Sequence, residues 1–440
     1  MDRKLMRRIA AIALVLSGAL GAAACESSSV AVRQREACSG PDCLVIRRGQ
    51  DIEIGSLLWI RTQETETGID SERGVELAID YLDGEFDGVD GTILGHRVTL
   101  VSEDDGCSAE GGRAGAQRLL TRPNLLAVVG TTCSGSALDA ADAVFGAANV
   151  PLISPSNTAP VLTEPEQHVR QYLRTAPNDR IQGLVDADFA RQNLKAETAV
   201  TIADARPYPK ALDSVFAERF SDAGGTVQAQ LLLPDAAGDP AVTAAIVAPL
   251  AANPPNVIFV PESGAPCSAV LRAVRAEPRL SAPRIVTADG CLTSTVLKDL
   301  GDLAYGVYAS GPNFSALGQD AFYTGQFLPA YETLYGTSPT GSWHAHAFDA
   351  ASLVFDALRR TAVLGADGSL SISRTDLLRQ LYRTDGYEGL SGRLECLQSG
   401  DCAQAARIAI YAAPAWPVAE GVAGAKPIFS KEVTLLQAFR

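Results

Sequence analysis

Two short stretches carry residues whose types and spacing could do chemistry together. Residues 126–129 form an apolar run that stops at Gly130, and small hydroxyl residues follow: Thr131, Thr132, Ser134 and Ser136. Residues 151–153 run in the same way into Ser154, Ser156, Asn157 and Thr158. The pattern predicts strand, turn, helix over 137–148, strand and turn. A helix start presents unpaired N–H groups and positive potential. Hydroxyls beside it make a place for a small anion such as a carboxylate. Ser and Thr also cap helices with no ligand present. Two such turns in consecutive βα units favour a site over a cap.

Other chemistries lack their residues. The chain has four histidines. His344 and His346 are two positions apart, so on a helix they point about 200° apart and cannot share a metal. His96 reads as a strand-start residue and His168 as a loop residue. Ser134 has no GxSxG elbow around it, and no base is placed beside it by the pattern. No P-loop, HExxH or dinucleotide fingerprint is present. The acidic turn 83–91 lacks calcium-loop spacing, and no CxxC with His partners suggests zinc. Neither an enzyme nor a metal or cofactor is expected. A formal net charge of −14 argues against a nucleic-acid partner. At 440 residues, 47% apolar and 20% charged, the chain can hold two or three ordinary globular domains.

The N-terminus reads as an export signal. Arg3, Lys4, Arg7 and Arg8 precede the apolar stretch 9–24, which is short for a membrane span. Gly21-Ala22-Ala23-Ala24-Cys25 resembles a bacterial lipobox. Residues 1–24 are therefore expected to be a signal peptide, with Cys25 the lipidated start of a tether over 25–48. Cleavage after the alanines without lipidation is the alternative, and both place the chain outside the cytoplasm. By the same resemblance, Glu26 permits outer-membrane sorting. Nine cysteines fit an oxidising compartment. Without Cys25 an even eight remain, for which many pairings exist. The spacing suggests four pairs. Cys38 with Cys43 and Cys396 with Cys402 would close tiny loops; Cys107 and Cys133 each follow a strand end, as do Cys267 and Cys291.

The elements that must position the hydroxyl turns alternate regularly. Strands are expected at 51–58, 97–103, 126–129, 151–153 and 169–174, with helices over 69–82, 110–120 and 137–148. A second series follows: strands at 198–203, 226–232, 256–260, 284–288 and 305–310, with helices over 179–192, 209–223, 240–251 and 267–276. Residues 318–383 read as largely helical, and short strands return near 390–394, 407–412 and 428–435. Such alternation specifies parallel sheets covered by helices on both faces. The strands are too many for one comfortable sheet. The expected fold is α/β, with two doubly wound parallel-sheet lobes. Ligands in such sheets sit beyond the carboxyl ends of the strands, where the hydroxyl turns lie.

Four segments resemble a known family in their order: Glu103-Asp104-Asp105-Gly106-Cys107, the run from Val128 to Ser134, the run from Pro151 to Pro160, and Arg174-Thr175-Ala176-Pro177-Asn178-Asp179. They are similar to the leucine/isoleucine/valine-binding proteins of ABC importers, of the type I periplasmic binding fold. The resemblance covers about 50–415 and is most specific over 103–179. It implies two lobes joined by a three-segment hinge that closes on a ligand: 49–177 with 311–405, and 178–310 with 406–440. It implies that Ser134 and Thr158 bind an α-carboxylate and that the Ser156 carbonyl takes the α-ammonium. It implies further that Asp289 pairs with that ammonium from the second lobe, that Tyr208 covers the ligand, and that Cys107–Cys133 is the family disulfide. The implied partners are an amino-acid-like ligand and an ABC transporter permease, with the membrane reached only through the lipid anchor. A ligand-binding sensor subunit acting through a membrane partner is the alternative.

The chain departs from the family pattern in two places. Pro261-Glu262-Ser263-Gly264 stands where leucine-type members have an aromatic, which makes Glu262 a candidate second cleft acid. The loop 59–68 is long and carries Glu64, Glu66 and Thr67. Both changes make the side-chain pocket more polar, so a polar or cationic amino acid or an amide fits as well as a branched-chain one. Cys267–Cys291 would brace the Asp289 loop.

Overall fold

The structure is a computed structural model that describes residues 36–439, apart from 62–65, 235–238, 418–423 and 425. The expected signal peptide, Cys25 and Glu64 lie outside the described residues. Eighteen strands are described in chain order: β1 Cys43–Ile46, β2 Ile52–Leu58, β3 Thr92–Ile93, β4 His96–Asp104, β5 Leu125–Gly130, β6 Leu152–Ser154, β7 Tyr172–Arg174, β8 Thr198–Ala203, β9 Thr226–Leu232, β10 Val257–Val260, β11 Arg284–Thr287, β12 Val307–Pro312, β13 Val363–Leu364, β14 Leu370–Ser373, β15 Tyr387–Gly389, β16 Gly392–Leu394, β17 Ala405–Ala412 and β18 Phe429–Thr434. They build two large sheets, ordered β3-β4-β2-β5-β6-β7 and β18-β17-β12-β11-β10-β8-β9.

The central strands are parallel, with β2 against β4 and β5, and β10 against β8 and β11. Their sequences, IEIGSLL, LLAVVG and VIFV, are buried throughout. A strand covered on both faces needs such a run rather than an alternation. In the first sheet Ile54, Ala127 and Val129 join a core with Val75, Phe348 and Val354. Leu57, Leu125 and Val128 face the other way, onto Leu119, Ala137 and Phe145. In the second sheet Ala199, Phe259 and Val286 pack on Phe216 and Phe220 of the helix Pro207–Asp222. The opposite face, Val200, Ile258 and Val260, packs on Val270 and Leu271 of the helix Ala265–Ala276.

The chain passes between the sheets three times, after β7, after β12 and before β17. The first and third passages are stitched together. Arg174 N–H donates to Gly400 O at 2.9 Å, and Cys402 N–H donates to Arg174 O at 3.0 Å. Arg174 is fully buried, and its guanidinium meets Asp401 at 2.7 Å. The helix Trp343–Thr361 is tied to the first passage as well. Thr175 Oγ1 donates to His346 O at 2.8 Å, and His346 Nδ1 lies 2.9 Å from Thr175 O.

Two features depart from the expected layout. The tether does not run free up to residue 48: β1 pairs antiparallel with β14, Cys43 opposite Ser373, in a small sheet completed by β13. The Asp42 carboxylate fixes it by accepting from Ser373 Oγ at 2.9 Å and Thr375 Oγ1 at 3.0 Å. At four residues, Cys-Leu-Val-Ile is too short to carry a period of its own, so it shows only through its distant partner. The strand expected over 169–174 is also shorter, Tyr172–Arg174. The eight cysteines form four disulfides: Cys38–Cys43, Cys107–Cys133, Cys267–Cys291 and Cys396–Cys402.

Candidate functional site

The first wall of the site is built where β5 and β6 end. Gly130 has φ +153°, and a Cβ there would stand 2.2 Å from Leu57 O, so only glycine lets the chain turn against β2. The helix Ser134–Ala140 starts four residues later. The turn between is held by a buried carboxylate. Asp105 accepts from Cys107 N–H at 2.8 Å, from Thr132 N–H at 2.8 Å and from Cys133 N–H at 3.5 Å. Burial pushes its pKa up to about 7 against the pull of those donors. The disulfide Cys107–Cys133 closes the same loop covalently.

The second hydroxyl turn is sewn onto the first. Ser154 Oγ donates to Thr131 O at 2.9 Å and accepts from Asn157 N–H at 2.9 Å. Asn157 Nδ2 donates to Thr131 O at 2.9 Å, and Ser156 Oγ donates to Thr132 O at 3.2 Å. Arg174 reaches the same turn from behind, donating to Ala159 O at 2.9 Å and Thr163 Oγ1 at 2.7 Å. The two turns are therefore cross-linked by their own polar groups, although the buried Ser136 Oγ has no partner among the described residues.

The facing wall belongs to the second sheet and is made of side chains. Asp289 Oδ1 accepts from Tyr208 OH at 2.9 Å and from Gln182 Nε2 at 2.8 Å. Gly290 N–H donates to Tyr208 OH at 3.2 Å, and a Cβ on Gly290 would crowd Glu262 O at 2.6 Å. Burial raises the Asp289 pKa against these hydrogen bonds. Deeper in, Asp179 is fully buried beside the Thr158 side chain. Burial, and then the Asp289 charge, push its pKa well up. Two buried acids that repel in this way resist being charged together.

One cavity of about 560 Å³ separates the walls, and Ser134, Ser156, Tyr208 and Asp289 all line it. Two expected residues do not. Thr158 is 1% exposed and lies behind the wall, its carbonyl accepting from Asp179 N–H at 2.9 Å. Glu262 is not a cleft acid. It is fully buried, taking Asp204 N–H on Oε1 at 2.6 Å and Arg206 Nη2 on Oε2 at 3.0 Å. Burial pushes its pKa up to about 8. Of this pair, the group that lines the cavity is Arg206.

Thr132, one of the hydroxyls of the first turn, also lines the cavity; Arg206, Trp59 and Trp343 line it without having been singled out in the sequence. Glu66, expected near the pocket, crosses it. Its Oε1 accepts from Ser294 Oγ at 2.6 Å, Thr295 N–H at 2.9 Å and Thr295 Oγ1 at 2.7 Å; its Oε2 accepts from Ser294 N–H at 2.8 Å. It therefore ties the helix Glu66–Asp80, packed on the first sheet, to the helix Ser294–Leu300 of the second sheet's layer. Among the described residues no group of three or more His, Cys, Asp or Glu could hold a metal ion, and no helix is long and apolar enough to cross a membrane.

Comparison with known proteins agrees with this layout. A family model described as periplasmic binding protein matches residues 51–409. An amino acid binding protein of Pseudomonas aeruginosa is 34% identical over 122 residues, which is 28% of this chain and 32% of that protein. The chain thus matches about a third of the length of that curated relative. The crystal structure of a leucine binding protein from Thermotoga maritima superposes with a TM-score of 0.69 at 21% identity, covering 82% of this chain and 96% of that one. A branched-chain amino acid transporter substrate binding protein from Streptococcus pneumoniae, solved with isoleucine, gives a TM-score of 0.67 at 21% identity, covering 88% and 100%. At such identity the structural likeness is one of fold.

Proposed function

The chain belongs to the periplasmic binding proteins, and from that premise we propose that it captures an amino acid, or a closely related zwitterion, between two lobes and delivers it to an ABC importer. The family and its structural neighbours are solute-binding proteins rather than enzymes. The observation that carries the finer reading is one cavity with opposite ends: the hydroxyl turn of Ser134 and Ser156 on one side, Asp289 on the other.

In this reading the α-carboxylate lies against the Ser134 hydroxyl, where the turn is fixed by Asp105. The α-ammonium lies toward Asp289. Tyr208, held by Asp289 and Gly290, forms the wall beside the ligand. Charge-assisted hydrogen bonds contribute about 1.5–3 kcal/mol each. Set against closure and ordering costs, a few of them make roughly micromolar binding, about −8 kcal/mol, the expected strength. The lobes, 49–177 with 311–405 and 178–310 with 406–440, would swing about the three passages. Glu66 would form its bonds to Ser294 and Thr295 only on closure.

The chain is proposed to be exported and held at the cell envelope by lipid on Cys25. Labelled fatty acid should be incorporated into the wild type and not into Cys25→Ala. Deletion of the gene should abolish uptake of the bound amino acid. Intact uptake with lost signalling would favour the sensor alternative. A thermal-shift screen with amino acids and simple carboxylates tests the ligand class, since bound ligand raises apparent stability by mass action. Stabilisation by carboxylates alone would sink the zwitterion reading.

A further inference from the structure

Arg206 is a cavity-lining cation that is already held on its protein side. Its Nε donates to Asp204 Oδ2 at 2.6 Å and its Nη1 to Ser263 Oγ at 3.1 Å. Its Nη2 donates to Glu262 Oε2 at 3.0 Å and to Ser263 O at 3.3 Å. Asp204 is held in turn, its N–H on Glu262 Oε1 and its Oδ1 on Arg206 N–H at 2.8 Å. The side chain nevertheless remains 38% exposed, and Arg206 is one of the residues that line the cavity. A guanidinium has five N–H donors in a fixed fork. Four are used, so one Nη1–H has no partner among the described residues.

That single donor restricts what it can meet. A carboxylate is recognised best by two parallel N–H bonds from the fork, and the fork here is spent on Asp204, Glu262 and Ser263. The positive charge is also offset by Asp204 beside it. An alkyl side chain would cover the N–H without replacing its water, which is unfavourable. A neutral acceptor satisfies it. The cavity lining also carries acceptors for a donor: Ser263, which touches Arg206, and Asp299, whose Oδ2 takes the Ser268 hydroxyl at 3.4 Å. A primary carboxamide has one carbonyl acceptor and two N–H donors in one plane.

We propose that Arg206 determines the specificity of the cavity, and that the captured amino acid has a side chain ending in a carboxamide. This rests on the amino-acid reading above. Its orientation is fixed by Glu262, Asp204 and Ser263, so little conformational freedom is lost when the ligand arrives. Glu262 thereby acts on the ligand through Arg206.

The test is calorimetric titration of the mature chain with L-glutamine, L-asparagine, L-leucine and L-glutamate, repeated on Arg206→Met and Arg206→Lys. In the wild type, one of the two amides should bind at least tenfold more tightly than both leucine and glutamate. In Arg206→Met that ratio should fall below threefold, mainly because the amide weakens. The ratio is taken within one protein, so general damage to the fold cancels. Arg206→Lys, a flexible point charge without the fork, should also lose most of the preference. Leucine or glutamate binding the wild type as well as either amide would overturn the proposal, as would a substitution that weakens all four ligands equally. If no amino acid binds the wild type, the amino-acid reading itself fails and takes this inference with it.

Discussion

The two walls of the cleft are built by different means. The wall on the first sheet is made of backbone turns and short hydroxyls, locked by Asp105, Ser154, Asn157 and Arg174. The wall on the second sheet is made of long side chains, Tyr208, Asp289 and Arg206, that hold each other or are held by buried acids. A turn can read only the end of a ligand that every amino acid shares. Identity must be read by the side-chain wall, where small changes of residue type alter charge and hydrogen bonding. The difference separates fold damage from affinity damage.

Breaking the first wall should therefore unfold, and breaking the second should only weaken binding. Arg174→Met leaves Asp401 buried without its partner and frees the turn at Ala159. Loss of about 3–5 kcal/mol is expected in urea denaturation. A loss under about 1 kcal/mol would mean that the turns are fixed by something else. Asp289→Asn retains the shape but removes the charge facing the ammonium. Binding should weaken tenfold or more, about 1.4 kcal/mol, with the ligand-free melting temperature nearly unchanged.

Glu66→Gln probes a carboxylate that joins the layers of the two sheets. It keeps an acceptor and loses the charge that four donors share, so ligand release should quicken about fivefold, about 1 kcal/mol. Stopped-flow release would show this, and an unchanged rate would remove Glu66 from closure. The smallest effect concerns pH. Burial pushes the His346 pKa down to about 4, from an ordinary 6.5. The unfolded chain therefore takes up this proton first as pH falls. Its contribution to stability is complete above about pH 6.5 and fades as pH falls toward 4. The stability difference between wild type and His346→Gln should shrink over that window and stay level above it. A difference that grows on acidification would contradict the burial argument.

Much of the first wall was legible because its signal is local. Apolar run, Gly130 and small hydroxyls lie within a few residues, and a strand end followed by a helix start fixes where they point. Tyr208 and Asp289 could be named only through the family resemblance, since nothing in their own neighbourhoods distinguishes them from turn residues. Glu262 was read as a cleft acid because a charged residue at a strand end faces a ligand as readily as a partner. Its partner Arg206 lies 56 positions earlier, and a pairing at that distance has no local mark. The family motif puts Thr158 in the cavity, whereas the structure buries it, with its carbonyl accepting from Asp179 N–H. The β1–β14 pairing was missed for the same reason as Arg206, with Cys43 opposite Ser373.

The central claim is that one cavity binds both charged ends of a zwitterion. Calorimetric titration of the wild type with its best-binding L-amino acid, that amino acid's N-acetyl derivative and its methyl ester tests it most directly. The account predicts roughly micromolar binding for the free amino acid and at least a hundredfold loss for each blocked form. A blocked form binding within threefold of the free amino acid would contradict it.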